Sequence, residues 1–171
     1  MISSFENFGE GNDYDAVIRD AKKIPELPDA NAMLAAASAF MSSMATRLGD
    51  LRGYSPEMTR EYTKTFSEPA HLMLLRIAAD NDGMVSKDAV LSFFVTDTIS
   101  QLLYAVMGID GNDTYTLEKK ERFVEYATAL FDAAEALRKE VKDKRYEQSA
   151  THEIDGMRAR FKTWLAERTL H

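Results

Sequence analysis

The chain has 171 residues, 45% of them hydrophobic, which fits one domain with a real core and speaks against wholesale disorder. Its 28 acidic and 21 basic residues leave a net charge of −7, which opposes non-specific binding to phosphate backbones and suits a protein partner with a basic face. There is no cysteine, so disulfides, thiolate nucleophiles, zinc–thiolate sites and iron–sulfur clusters are excluded together, and a reducing, cytoplasmic setting is expected.

Residues 1–12 are expected to be irregular, with Phe5 and Phe8 placed to dock on the body and Gly9 and Gly11 giving freedom after them. No basic region precedes an apolar run there, so no signal peptide is expected. From residue 13 onward one helical domain is expected. A short helix covers about Tyr14 to Lys23, with Asp13 as N-cap, and Pro25 and Pro28 end it. Asp29 opens a second helix to about Leu48. Its apolar residues Met33, Leu34, Ala37, Phe40, Met41, Met44 and Leu48 recur at helical spacing, and Gly49 and Gly53 mark its end.

Ser55-Pro56-Glu57 is a helix start, a capping serine followed by proline in the first turn. Met58, Tyr62 and Phe66, four apart, predict one apolar face. Ser67-Glu68-Pro69 repeats the start signal, so a break or kink is expected there. The following segment, about Pro69 to Ala79, is almost wholly apolar and is expected to be the central buried element. Leu72-Met73-Leu74-Leu75 is cut by Arg76, and no apolar stretch approaches the ~20 residues of a membrane span, so no membrane is expected.

Ser86 caps a helix expected to reach Met107, with a core of Ala89, Val90, Phe93, Phe94, Leu102, Leu103 and Val106. Its β-branched residues Val95, Thr96, Thr98 and Ile99 weaken the helix locally. Thr116 opens what is expected to be the longest helix, about 117–145. There Phe123, Ala127, Leu130, Ala134, Leu137 and Val141 form a heptad-like stripe. The default for such a stripe is the chain's own core. The alternative is a self-association surface carried by Phe123, Leu130, Leu137 and Val141. A last helical segment, about Thr151 to Leu170, carries Ile154, Met157, Phe161, Trp164 and Leu165, and Gly156 argues for a bend. No strand-like alternation and no repeat are present. The fold class is therefore all-α, a single-domain irregular bundle of six or seven helices.

No catalytic constellation stands out. The three histidines, His71, His152 and His171, lie in no metal or triad spacing, and there is no nucleophile elbow, Walker loop or dinucleotide fingerprint. An enzyme is therefore the least supported class. The methionines read as core filler ahead of an adaptable binding surface.

Two loops carry local chemistry. Ala78-Ala79-Asp80-Asn81-Asp82-Gly83-Met84-Val85-Ser86-Lys87-Asp88-Ala89 resembles an EF-hand loop, with Asp80, Asp82 and Ser86 at ligand positions three, five and nine and Gly83 at the turn. Alanines 78 and 89 stand where the first carboxylate and the bidentate glutamate belong. Asp110 to Glu121 keeps the complementary set: Asp110, Asn112, Thr114, Glu118 and Glu121 at positions one, three, five, nine and twelve. Tyr115 holds its glycine position. The pair is thus a degenerate EF-hand pair over residues 78–121. No cofactor is expected, and calcium or magnesium would bind only at low affinity. The 78–88 turn also resembles TerB-like helical domains, in which an alanine-rich helix ends in an Asp-Gly turn before a capped helix. The simplest reading of the same residues is an ordinary helix–helix connection.

Three function classes follow. The first is a non-enzymatic protein-interaction module with an unknown protein partner, self-associating as a homo-oligomer through the long helix 117–145. The second is a divalent-cation-responsive protein. The third is an acidic inhibitor or decoy of a nucleic-acid-binding partner, with no direct contact to nucleic acid.

Overall fold

The computed structural model describes residues 14–80, 85–108 and 115–169. Residues 1–13, with Asp13, Phe5 and Phe8, lie outside them. The described residues form an all-α bundle: α1 (Tyr14–Lys23), α2 (Ala30–Arg52), α3 (Pro56–Asp80), α4 (Lys87–Phe93), α5 (Ser100–Gly108), α6 (Leu117–Arg138) and α7 (Lys144–Thr169). A 3-10 turn, Ile24–Glu26, follows α1. A π-helical segment, Phe94–Ile99, joins α4 to α5.

Local chemistry sets most of these ends. The Asp29 carboxylate accepts from Ala32 N at 2.8 Å and starts α2. Gly53, at φ 77°, closes it in the left-handed conformation that a side chain would strain. Ser55, Ser86 and Thr116 accept from the backbone amides of Met58, Ala89 and Lys119 and start α3, α4 and α6.

Helix α6 runs through the core. Phe123, Tyr126, Ala127, Leu130, Ala133, Ala134 and Leu137 are buried on it. They meet the buried face of α2, where Met33, Phe40, Met41, Met44 and Leu48 are all buried, so these methionines fill the core. The Tyr126 hydroxyl, fully buried, donates to the Met44 carbonyl at 2.7 Å. Its polar group is thereby satisfied inside an apolar interior. Ala150, Ile154, Met157, Phe161 and Trp164 of α7 complete the interior.

Four expectations are corrected. First, α3 is continuous from Pro56 to Asp80 and passes through Pro69. Pro69 and Thr65 are both exposed, so the carbonyl that loses its amide donor faces water. Second, the apolar 69–79 segment is not buried on every side: Leu72 is 64% exposed and Leu75 51%. Third, Met58 does not share a face with Tyr62 and Phe66. A step of four turns each successive residue by about 40°, so Met58 ends outside while the two rings turn inward. Fourth, α6 stops at Arg138, and Val141 lies in the connection to α7. Asp88 holds that connection, accepting from Lys142 N at 3.1 Å and Asp143 N at 2.6 Å. The longest described helix is consequently α7, at 26 residues, and it is continuous through Gly156.

The run Lys87–Gly108 is long and apolar enough by length and composition to cross a membrane, although no such stretch was expected. Its polar residues are spaced out, so it passes as a window average without containing an unbroken apolar run. Leu91, Phe94, Val95, Ile99, Leu102 and Leu103 of that run pack in the bundle's core.

Candidate functional site

The two Asp-rich loops lie largely outside the described residues: Asp82, Asp110, Asn112 and Thr114 are not among them. Asp80 is the last residue of α3. Ser86 is engaged as the α4 cap. Glu118 and Glu121 sit exposed at the start of α6, where Glu118 pairs with Arg122 at 3.6 Å. No group of three or more His, Asp or Glu able to hold a metal occurs among the described residues.

The proposed association stripe is not an open surface. Phe123, Leu130, Leu137 and Val141 are all buried in this chain's own core. They would have to leave that core to meet a second copy, so self-association through them is set aside. Leu117, at the start of α6 and six residues before the stripe, is exposed.

The open surface is on α3. Four large hydrophobics are strongly exposed among the described residues, and three of them, Met58 (55%), Leu72 and Leu75, lie on this helix. Scattered exposed apolar side chains need no explanation, but their concentration on one element does. Met58, Glu61, Thr65, Glu68, Leu72, Leu75 and Ala79 follow steps of three and four, and all seven are exposed. Steps of three and four are the spacing of a coiled-coil seam, although Glu61, Thr65 and Glu68 are polar where such a seam is apolar. The first half of the α3 line is polar, with Glu61 and Glu68, and its second half is apolar. Glu61 also pairs with Lys64 of the same helix at 3.1 Å.

The opposite face of α3 explains why this one is free. Thr59 is buried against α2, where a Cβ placed on Gly49 would lie 2.8 Å from its Cγ2. Thr46 and Thr63 share a hydroxyl–hydroxyl bond of 3.1 Å across the same seam. Tyr62 stacks edge-on with Tyr54 (5.5 Å) and Phe66 (4.9 Å), and the Arg52 guanidinium sits 4.6 Å over its ring. These contacts pin one side of α3 to α2 and leave the other to solvent.

A second feature is a shallow groove of about 530 Å³ between α5 and α7, lined by Tyr104, Met107, Gly108, Arg160, Trp164 and Glu167. The Tyr104 hydroxyl donates to Glu153 at 3.3 Å. Burial, then the Glu153 charge, push the Tyr104 phenol above its ordinary range, so it holds its proton and is a poor acid. Asp97, on the π-helical segment, is likewise raised, first by burial and then by Glu153. Arg160 lies 5.1 Å over Tyr104 and Arg168 4.2 Å over Trp164, so both aromatic faces already carry a cation of this chain. The groove therefore offers no open aromatic cage.

Sequence reasoning missed the α3 seam, although its signal was present. The three–four spacing on α3 is as regular as that on α6, but two glutamates at its inner positions disguise it. Compared with known proteins, the chain matches no family model, no curated protein and no solved structure.

Proposed function

We propose that the chain is a non-enzymatic helical protein-interaction module that engages a protein partner through the outward face of α3. The observation carrying this reading is the concentration of exposed Met58, Leu72 and Leu75 on one helix whose inner face is fixed to α2. Covering a Leu side chain recovers about 1.5–3 kcal/mol, so two adjacent leucines in water are a standing source of binding energy. Rigid support matters as well: a helix already held on its scaffold loses little freedom on docking. The cation-responsive alternative gains nothing from the described residues, where Ser86 is occupied as a cap.

The test is site-specific photo-crosslinking in the source cell. A photoreactive residue replacing Leu75 is expected to trap a defined protein that one replacing the exposed Gln148 of α7 does not. Adducts from neither position, or the same adducts from both, would overturn the reading.

A further inference from the structure

The α3 seam has a polarity that describes what can cover it. Glu61 and Glu68 stand at positions that point between paired helices, and Leu72 and Leu75 continue the same line. Covering a carboxylate without a counter-charge is strongly disfavoured, so a partner must either bring cations or leave the acidic half uncovered. A parallel second copy would set Glu61 on Glu61 and Glu68 on Glu68. An antiparallel copy stacking Leu72 on Leu75 would set Glu68 on Ala79, covered and unpaired. Neither of these two registers of this chain with itself is complementary. The Lys64–Glu61 pair leaves both side chains at least half exposed (52% and 68%), so it is weak and readily exchanged for a cation from outside.

We infer that the occupant is an amphipathic helix of another protein, basic where it meets Glu61 and Glu68 and apolar where it covers Leu72 and Leu75. This rests on the interaction reading given above and names the chemistry of its partner. Met58 to Ala79 spans about 32 Å at 1.5 Å per residue, so the matching helix is three heptads long. The chain's net charge of −7 favours the approach of such a segment.

The experiment titrates the full chain with three synthetic three-heptad peptides, read by calorimetry and by NMR shift mapping. One carries Lys opposite the glutamates and Leu opposite the leucines; the second replaces Lys with Glu; the third has the composition of the first with the heptad phase scrambled. The Lys peptide is expected to bind about tenfold or more tighter than the other two, with shifts along α3's outer face. In the Glu61→Lys/Glu68→Lys double variant the preference between Lys and Glu peptides is expected to invert. In Leu72→Asn/Leu75→Asn all binding is expected to fall by about tenfold or more. All four positions are exposed, so helicity by circular dichroism stays unchanged. Equal binding of the scrambled peptide, shifts centred away from α3, or a preference that survives the charge reversal would each overturn the inference. A crosslinked partner at position 75 combined with no Lys-peptide preference would sink this inference while leaving the interaction reading standing.

Discussion

Helices α3 and α6 are close in length, 25 and 22 residues, and each carries a stripe in steps of three and four. They have opposite fates. The stripe of α6, from Phe123 to Leu137, is buried, while that of α3, from Met58 to Ala79, is exposed throughout. Part of the difference is composition, since Glu61, Thr65 and Glu68 interrupt the α3 stripe. For Leu72 and Leu75 it is what the rest of the chain brings to each helix. Helix α6 meets α1, α4, α5 and α7, whereas α3 packs chiefly on α2. A periodic apolar stripe therefore says that a helix will be covered, without saying whether its own chain supplies the cover.

The sharpest way to break this comparison is to truncate one leucine from each stripe. Leu130 is fully buried, and Leu130→Ala is expected to destabilise the chain by about 2–5 kcal/mol in urea unfolding. Leu72→Ala is expected to change stability by less than about 0.5 kcal/mol, because it removes no internal contact worth keeping. Equal losses at the two positions would mean that α3's outer face is covered in solution.

A smaller effect probes why α3 stays where it is. Gly49 lets α2 and α3 approach until a Cβ there would lie 2.8 Å from the Thr59 side chain. Ala would suit the helix better by its propensity alone. Gly49→Ala is nevertheless expected to cost about 1–3 kcal/mol through overpacking, and Thr59→Ala in the same chain is expected to recover most of it. A neutral Gly49→Ala, measured by the same denaturation, would show that the α2–α3 seam is looser than the described contacts.

Legibility in the sequence followed how local the cause was. The caps at Asp29, Ser55, Ser86 and Thr116 stand where read, because a cap needs only the next three residues. The β-branched run Val95, Thr96, Thr98 and Ile99 was read as weak helix, and the structure places the π-helical segment over it. The connection after Arg138 was not legible, since Asp88, more than fifty positions away in the chain, receives the amides of Lys142 and Asp143 there. The candidate surface was least legible of all. Whether Leu72 and Leu75 are covered depends on the placement of every other helix, and Glu61 and Glu68 broke the apolar pattern that would have marked the seam.

The smallest expected effect concerns Asp97, on the π-helical segment outside the α3 seam. Asp97 is disfavoured as an anion by burial and by Glu153 facing it from α7, with the Thr96 hydroxyl opposing the shift. Its folded pKa is therefore raised above its unfolded value. Between those values the folded state holds more protons than the unfolded one, so stability falls as pH rises through that window. The favourable contribution is complete below the unfolded value and gone above the folded one. Asp97→Asn removes the titration, so the variant is expected to be more stable than the parent at neutral pH and to converge on it in acid. The gain is small, because Asp97 remains partly open to solvent. Paired urea titrations across the acidic range measure it. Since Asp97 lies outside the α3 seam, the same variant is expected to leave Lys-peptide binding unchanged. A variant that weakened that binding would couple the π-helical segment to α3 and dissolve the division between a closed interior and one open helix.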